Sequence, residues 1–268
     1  MSRLCSLYGV TRAGYYAWCR RPESAHAVQD RRLTERLRIL FAAHRARYGS
    51  PRLQRELREH GWRVSRRRVE RLMRTAGLRA RVACIYRANP GMHRFYGQHP
   101  NRLPAAGARR RNQVWLGDIT YLALGRGWRF LAVILDQYSR RVLAWKLASR
   151  RDARLTQAVL DAAVRRRRPR RGLIFHSDRG SEYSAGTYRD RVRALGMRQS
   201  SARRGPEDNA HMESFFHSLK AELIHGTSGT TEEELRQQIA GYIWYYNHRR
   251  QHSALRYRSP VAVERCAA

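Results

Sequence analysis

Apolar residues recur along this chain in two rhythms, and the change from one to the other divides it. From Asp30 to His44, Leu33, Leu37, Leu40 and Phe41 fall on one face of a helix. Pro51, favoured at the first helical position, opens a second helix that runs to His60 and stops at Gly61. Ser65 caps a third, ending at Gly77, whose apolar side carries Val69, Leu72, Met73 and Ala76. Arg67, Arg71 and Arg74 line another side of it at i, i+4 and i+7. Two helices joined by a short turn, the second with an arginine stripe, predict a helix-turn-helix whose second helix lies in the major groove of DNA. A solvated basic face on an ordinary helical pair is the bland alternative. Upstream, the stretch from Gly9 to Trp18 reads as the turn and second helix of a small helical motif.

The second half reads in strands. Gln113–Ala123, the buried run Trp128–Leu135 and Val142–Ala148 are separated by turns at Leu124–Gly127 and Asp136–Arg140. Ala153–Val164 returns to helical spacing with Leu155, Val159, Leu160 and Ala163, and Leu173–Asp178 is the short apolar run of a buried parallel strand. Three antiparallel strands, a crossover helix and a fourth strand predict a mixed α/β sheet. A helix near Thr187–Leu195, a strand at Met197–Ser201, a basic loop at Ala202–Pro206 and a helix from about Asp208 to His225 follow. Thr231-Glu232-Glu233-Glu234 offers a capping box for a last long helix with Leu235, Ile239, Tyr242 and Tyr246 inward, and Trp244 and Tyr245 are read mainly as core. The halves are joined by a stretch with Pro100, Pro104, Gly107 and the run Arg109-Arg110-Arg111. The expected organisation is a helical DNA-binding region over 1–96 with its helix-turn-helix at about 48–78, then a basic linker over 97–112. A catalytic core over 113–225 and a C-terminal helix with basic tail over 226–268 complete it.

Composition then narrows the partner. The 268 residues carry 55 Lys+Arg against 21 Asp+Glu, a formal charge of +34, with 42% apolar residues that argue against global disorder. A body this basic repels itself unless polyanions offset the field, which points to nucleic acid. The longest purely apolar run, Phe130–Leu135, falls far short of the roughly 20 residues of a membrane span. No apolar signal segment opens the chain, so a cytoplasmic, nucleoid-associated protein is expected. Cys5, Cys19, Cys84 and Cys266 are scattered without a CxxC pair, which excludes a disulfide scaffold or zinc ribbon, and His44, His60 and Cys84 lack a fourth ligand at sensible spacing.

Against that basic background the scarce acids carry the chemistry. Phosphodiester cleavage is served by two divalent cations about 4 Å apart, and such ions are held by carboxylates. Asp118 lies within the strand WLGDITY, where an ionised side chain wants a cation or an exposed position. Asp178 ends its apolar run at the strand's C-terminal edge, where open α/β sheets place ligands. Glu213 shares a helix face with His217 and Lys220. Asp136 is the main decoy. With the turn centred near Gly125–Arg126, Asp118 lies across from Val133, so Asp136 is about 10 Å further on and on the other face. Asp208 reads as a helix cap, and Glu182 and Glu222 lie near the site.

The motifs HSDRGSEY (His176–Tyr183), SARRG (Ser201–Gly205) and DNAHMESFF (Asp208–Phe216) resemble the IS-three family of insertion-sequence transposases, specifically its second-frame, orfB-type protein. WLGDITY, the C-terminal YYNHRRQHSAL with Ser259-Pro260, and the stretch from Tyr48-Gly49 to Gly77-Leu78 are similar to further segments of that family, so the resemblance covers nearly the whole chain. It implies an RNase H-like integrase core with a catalytic Asp, Asp, Glu triad, carried by motif onto Asp118, Asp178 and Glu213, binding two Mg²⁺ with Mn²⁺ as a substitute. The basic residue that follows the glutamate in many such enzymes falls on Lys220. The loop before Glu213 is one residue shorter than the family's usual spacing, and the geometry is expected to survive.

The implied reaction is metal-dependent cleavage at element ends followed by attack of the freed 3′-OH on target DNA, with Asp118 bridging both ions and no protein nucleophile. Lys220, Arg67, Arg71, Arg74, Arg203, Arg204, Arg249 and Arg250 are the expected DNA contacts, with His176 and His217 as auxiliary candidates. Double-stranded DNA is the partner, engaged by a homo-oligomer, and the family also implies an upstream-frame protein or fusion. The competing readings are an inactive DNA-binding regulator and an RNase H-like nuclease on RNA–DNA hybrids.

Overall fold

The chain divides between Arg81 and Val82 into two units, and the computed structural model describes residues 2–81, 101–103, 107–125, 127–202, 209–224 and 231–266. The first unit is helical: α1 Ser2–Leu7, α2 Arg12–Arg20, α3 Ala25–Ala43, α4 Ser50–Glu59 and α5 Arg66–Thr75. Side chains of Thr11, Ser24 and Ser65 accept backbone N–H groups at the starts of α2, α3 and α5. The Ser24 cap sets α3 going at Ala25, ahead of the point where its apolar periodicity becomes visible. Leu33, Leu37 and Leu40 of α3 meet Leu53 and Leu57 of α4 and Val69, Leu72 and Met73 of α5 in a buried core. The turn between α4 and α5 passes through Gly61 at φ +82°, a backbone region L side chains avoid. The predicted helix pair and its apolar faces are thus present.

The second unit is built on a five-stranded sheet of β1 Val114–Leu124, β2 Gly127–Asp136, β3 Val142–Ala148, β4 Ile174–Ser177 and β5 Arg198–Ser201. The strand order is β3-β2-β1-β4-β5. β1, β2 and β3 are antiparallel neighbours, whereas β4 and β5 run parallel to β1. Asp118 pairs with Val133, the register expected from the turn position. The crossover from β3 to β4 is α6 Ala153–Arg167, and α7 Ser181–Ser184 and α8 Gly186–Ala194 lead into β5. Then come α9 Ala210–Leu219, a wide π turn at Lys220–Ile224, α10 Glu232–His248 and α11 Pro260–Cys266. The predicted helix to His225 therefore ends as a regular α-helix at Leu219, and α11 occupies what sequence alone reads as tail.

Alternation along β1 and β2 sends side chains to two cores. Leu116, Leu122, Leu131 and Val133 pack with Phe215 and Leu219 of α9 and Ile239 and Tyr242 of α10. Trp115, Ala132 and Ile134 face Val159 and Leu160 of α6 and Tyr188 of α8. The capping box at the head of α10 is formed, Glu234 N–H donating to Thr231 Oγ1 and Thr231 N–H to Glu234 Oε2. Trp244 differs from expectation, being exposed on α10 while Tyr246 is buried. Within 101–103 and 107–112 the backbone is tied to the sheet: Arg102 N–H donates to Ser200 Oγ, Ala108 N–H to Gln137 Oε1 and Asn112 N–H to Asp136 Oδ2. This mixed sheet with helices on both faces, following an all-helical unit, is the RNase H-like arrangement the resemblance implies.

Candidate active site and nucleic-acid interface

The parallel pairing of β4 with β1 is short. It covers Val114–Gly117 against Ile174–Ser177 and ends with Gly117 beside Ser177. Asp118 and Asp178 are the next residue on each strand, at the point where neighbours about 4.8 Å apart begin to part. Both are half-buried. Ile119 N–H donates to Asp118 Oδ1 at 2.7 Å and Gly180 N–H to Asp178 Oδ1 at 3.1 Å, which orients each carboxylate. Burial, and then the Asp178 charge, push the Asp118 carboxyl well above the usual carboxylate range. Two acids are held together against their repulsion.

Gly117 makes the close approach possible. A Cβ there would lie 2.5 Å from Cζ of the buried Phe175 ring on β4. Gly117→Ala is expected to destabilise the second unit by about 1–3 kcal/mol, the usual cost of overpacking. A lower denaturant midpoint with unchanged slope would show it, and an unaltered midpoint would mean that the ring moves aside freely.

A third acid and a base sit beside the pair. Glu182 is buried on α7 and accepts from Arg151 Nε at 2.8 Å, with Arg151 Nη2 at 2.6 Å. Its charge acts on Asp118, and that of Asp178 acts on Arg151. Arg151 carries no sequence signal, since it reads as one more arginine before the Asp152 helix cap. Glu213 is exposed on α9, which packs on β1, and the partial desolvation of its carboxyl raises it. Lys220 closes that helix half-buried, its Nζ 4.7 Å from the centroid of the Tyr121 ring. Burial lowers the Lys220 amine while Asp118 works in the opposite direction. The structure thus gathers Asp118, Asp178, Glu182, Arg151 and Lys220. Among the described residues no three metal-ligating side chains already surround one point, so Glu213 is presented on α9 without being closed onto the aspartates.

The decoy behaves as a turn residue. Asp136 is buried opposite Trp115 and accepts from the backbone N–H groups of Asn112, Tyr138 and Ser139. His176 is fully buried on β4 and shares a hydrogen bond with Ser200 Oγ at 2.9 Å, a structural position, whereas His217 is exposed on α9. Ser177 is buried, its hydroxyl donating to the Asp178 carbonyl.

Among the expected DNA contacts, Arg67, Arg71 and Arg74 are exposed on α5. Arg71 is also held by Asp30, as is Arg68 Nε at 2.7 Å, and the Arg71 bond leads the causes that lower the Asp30 carboxyl. Arg249 is exposed, with its guanidinium 5.9 Å from the Trp244 ring centroid. Arg203 and Arg204 lie outside the described residues. Arg250 is corrected: it is buried, and its guanidinium is bound to the Glu222 carboxylate, so it is a packing cation and no surface contact.

Comparison with known proteins gives the family of each part of the chain. Residues 108–206 and 196–260 match two family models described as Integrase core domain, and residues 28–83 match the HTH-like domain. The chain is 37% identical over 262 residues to the insertion element IS600 uncharacterized 31 kDa protein of Shigella sonnei, across 97% of this chain and 96% of that one. It is 36% identical over 259 residues to the transposase for insertion sequence element IS904 of Lactococcus lactis subsp. lactis (strain IL1403), covering 92% and 98%. It is also 36% identical over 262 residues to transposase InsF for insertion sequence IS3A of Escherichia coli (strain K12), covering 93% and 88%. Among solved structures, a chain of the simian T-cell lymphotropic virus intasome in complex with PP2A regulatory subunit B56 gamma superposes with a TM-score of 0.52 at 15% identity. The match covers 79% of this chain and 70% of that one, and shows a shared fold.

Proposed function

The chain belongs to the IS-three family of insertion-sequence transposases, and from that premise we propose that it cuts DNA at element ends and joins the freed 3′-OH to target DNA. The observation that carries this reading is the placement of Asp118 beside Asp178 where β1 and β4 diverge. Two adjacent carboxylates, one of them raised first by burial and then by the other's charge, are a hard-oxygen donor set that fits Mg²⁺. Asp118, Asp178 and Glu213 are the carboxylates that would hold such ions. When bound, two such ions supply the positive charge that activates the attacking oxygen and stabilises the leaving oxygen.

The chain's own residues do the positioning. Arg151, through Glu182, fixes the turn that carries Asp178. Lys220, beside Asp118, meets a non-bridging phosphate oxygen. Glu213, presented on the α9 face, would supply the third carboxylate to the ions. With the buried Ser177 hydroxyl spent on a carbonyl, water is the attacking group in the cut, ending on the 5′-phosphate and freeing the 3′-OH, and that 3′-OH is the nucleophile in the joining. α5 presents Arg67 and Arg74 to duplex DNA, and the ends are brought together by a homo-oligomer, with the upstream-frame product as a further partner. Among the described residues no helix is long and apolar enough to cross a membrane.

A labelled duplex ending in the element's terminal repeat tests the proposal. In Mg²⁺ it should be nicked to leave a 3′-OH and then joined to a second duplex, while an RNA–DNA hybrid of the same sequence is left intact. Binding without cutting would mark a regulator, and preferred cutting of the hybrid a ribonuclease. Binding should also be steeply salt-dependent. Contacts to six or more phosphates lower affinity by about 10³ between 50 and 200 mM salt, a slope that fluorescence anisotropy reads directly. A flat dependence would mean that the +34 charge serves another partner.

A further inference from the structure

Among the described residues β1 has no strand partner on its β4 side past Gly117, and the β1–β2 hairpin runs on beyond the acidic pair. Two large aromatic side chains lie there in the open. Tyr121 is 59% exposed and Trp128 55% exposed. They are diagonal neighbours on one face, Tyr121 opposite Phe130 and Trp128 opposite Ala123, with ring centroids 5.2 Å apart and planes at 84°. Phe130 and Ile119 on the same face are partly covered by the core, whereas the outer pair is not. Single exposed apolar residues are ordinary on any surface. Here, however, two touch each other, the Lys220 ammonium stands over the Tyr121 ring, and that ammonium also feels Asp118.

An aromatic face with a cation at its side and a carboxylate pair nearby has the chemistry of a nucleotide site: base on ring, phosphate on amine. Inside a duplex both faces of each base are stacked, and at a paired end only the outermost pair shows one face, so an unpaired base, free to turn out of the helix, is the one able to lie on a ring set beside the backbone. Tyr121 is three residues from Asp118, about 10 Å along the strand and on its opposite face, and the two are joined at the open strand edge by Lys220, whose ammonium stands over the Tyr121 ring and lies within the field of Asp118. We propose that Tyr121 and Trp128 form a stacking platform for unpaired nucleobases next to the cleaved phosphodiester, holding the frayed terminus of the DNA end. This rests on the transposase reading, and it adds a ligand form that the family assignment does not specify.

Fluorescently labelled duplexes of the terminal repeat, fully paired or with mismatched terminal pairs, are bound by the full chain in Ca²⁺. The unaltered protein should prefer the mismatched end. Trp128→Ala should lose about tenfold of that preference, as for one stacked base, while fully paired DNA binds as before. Trp128→Phe should restore it. No preference in the unaltered protein, an undiminished one in Trp128→Ala, or equal loss on both DNAs would each overturn the proposal. A changed sedimentation coefficient with the preference intact would do so too, assigning the aromatic pair to contact between copies. Asp118→Asn separates this from the parent reading: it should keep the preference and lose cutting, so failure of either half is visible alone.

Discussion

Asp118→Asn is expected to lower strand cleavage and joining by about 10³-fold or more while leaving the protein folded and able to bind DNA. Several kcal/mol of transition-state stabilisation are at stake when a carboxylate proposed to hold the metal is lost, and each 1.36 kcal/mol is tenfold in rate. The amide keeps the shape of the side chain and can still accept the Ile119 N–H. It also removes the charge that Asp178 repels inside the cleft. The thermal midpoint should therefore hold or rise, a direction opposite to that of most core substitutions. Labelled element-end DNA, assayed for nicked and joined products beside a melting curve, reads both effects at once. Undiminished products would remove Asp118 from the chemistry; lost products together with a collapsed midpoint would make its role one of folding.

How much of this was legible in the sequence depended on the range of the interaction concerned. The Asp118–Val133 register follows from one local turn, and α5 and α10 announce themselves through Ser65 and Thr231. Asp178 is visible because a parallel strand buried on both faces ends in a charge. Arg151 is different. It becomes informative only when α6 is laid on the sheet and brings its guanidinium to Glu182, 31 residues away. Tyr121 and Trp128 look like strand aromatics, and only the sheet's burial pattern shows that the core leaves them uncovered. The family resemblance supplied Glu213 as a triad member, yet the structure places it exposed on α9, a reminder that motif order does not fix side-chain distance.

Arg250 illustrates the same point with the largest expected cost in stability. In sequence it stands in the basic run His248-Arg249-Arg250 and reads as a DNA contact. In the fold its Nη2 lies 2.7 Å from Glu222 Oε1 and donates to Ser218 Oγ at 2.9 Å, while Nε bonds the same carboxylate. Tyr242 donates a further bond to Glu222 Oε2. Both charged side chains are under a tenth exposed. Burial opposes the Arg250 charge, and the Glu222 carboxylate more than restores it. Removing one partner leaves the other as an uncompensated buried charge, so Arg250→Ala should cost about 3–5 kcal/mol. For a unit of this size that is a fall of roughly 10 °C in melting temperature. Replacing Arg250 and Glu222 together by leucine should recover most of it, because a pair of apolar groups leaves no orphan charge. A double-mutant cycle on melting curves measures that coupling. A small effect in Arg250→Ala, paired with weakened DNA binding, would return Arg250 to the DNA surface. Since Glu222 and Lys220 share the π turn after α9, the pair also anchors the backbone that holds Lys220 beside Asp118.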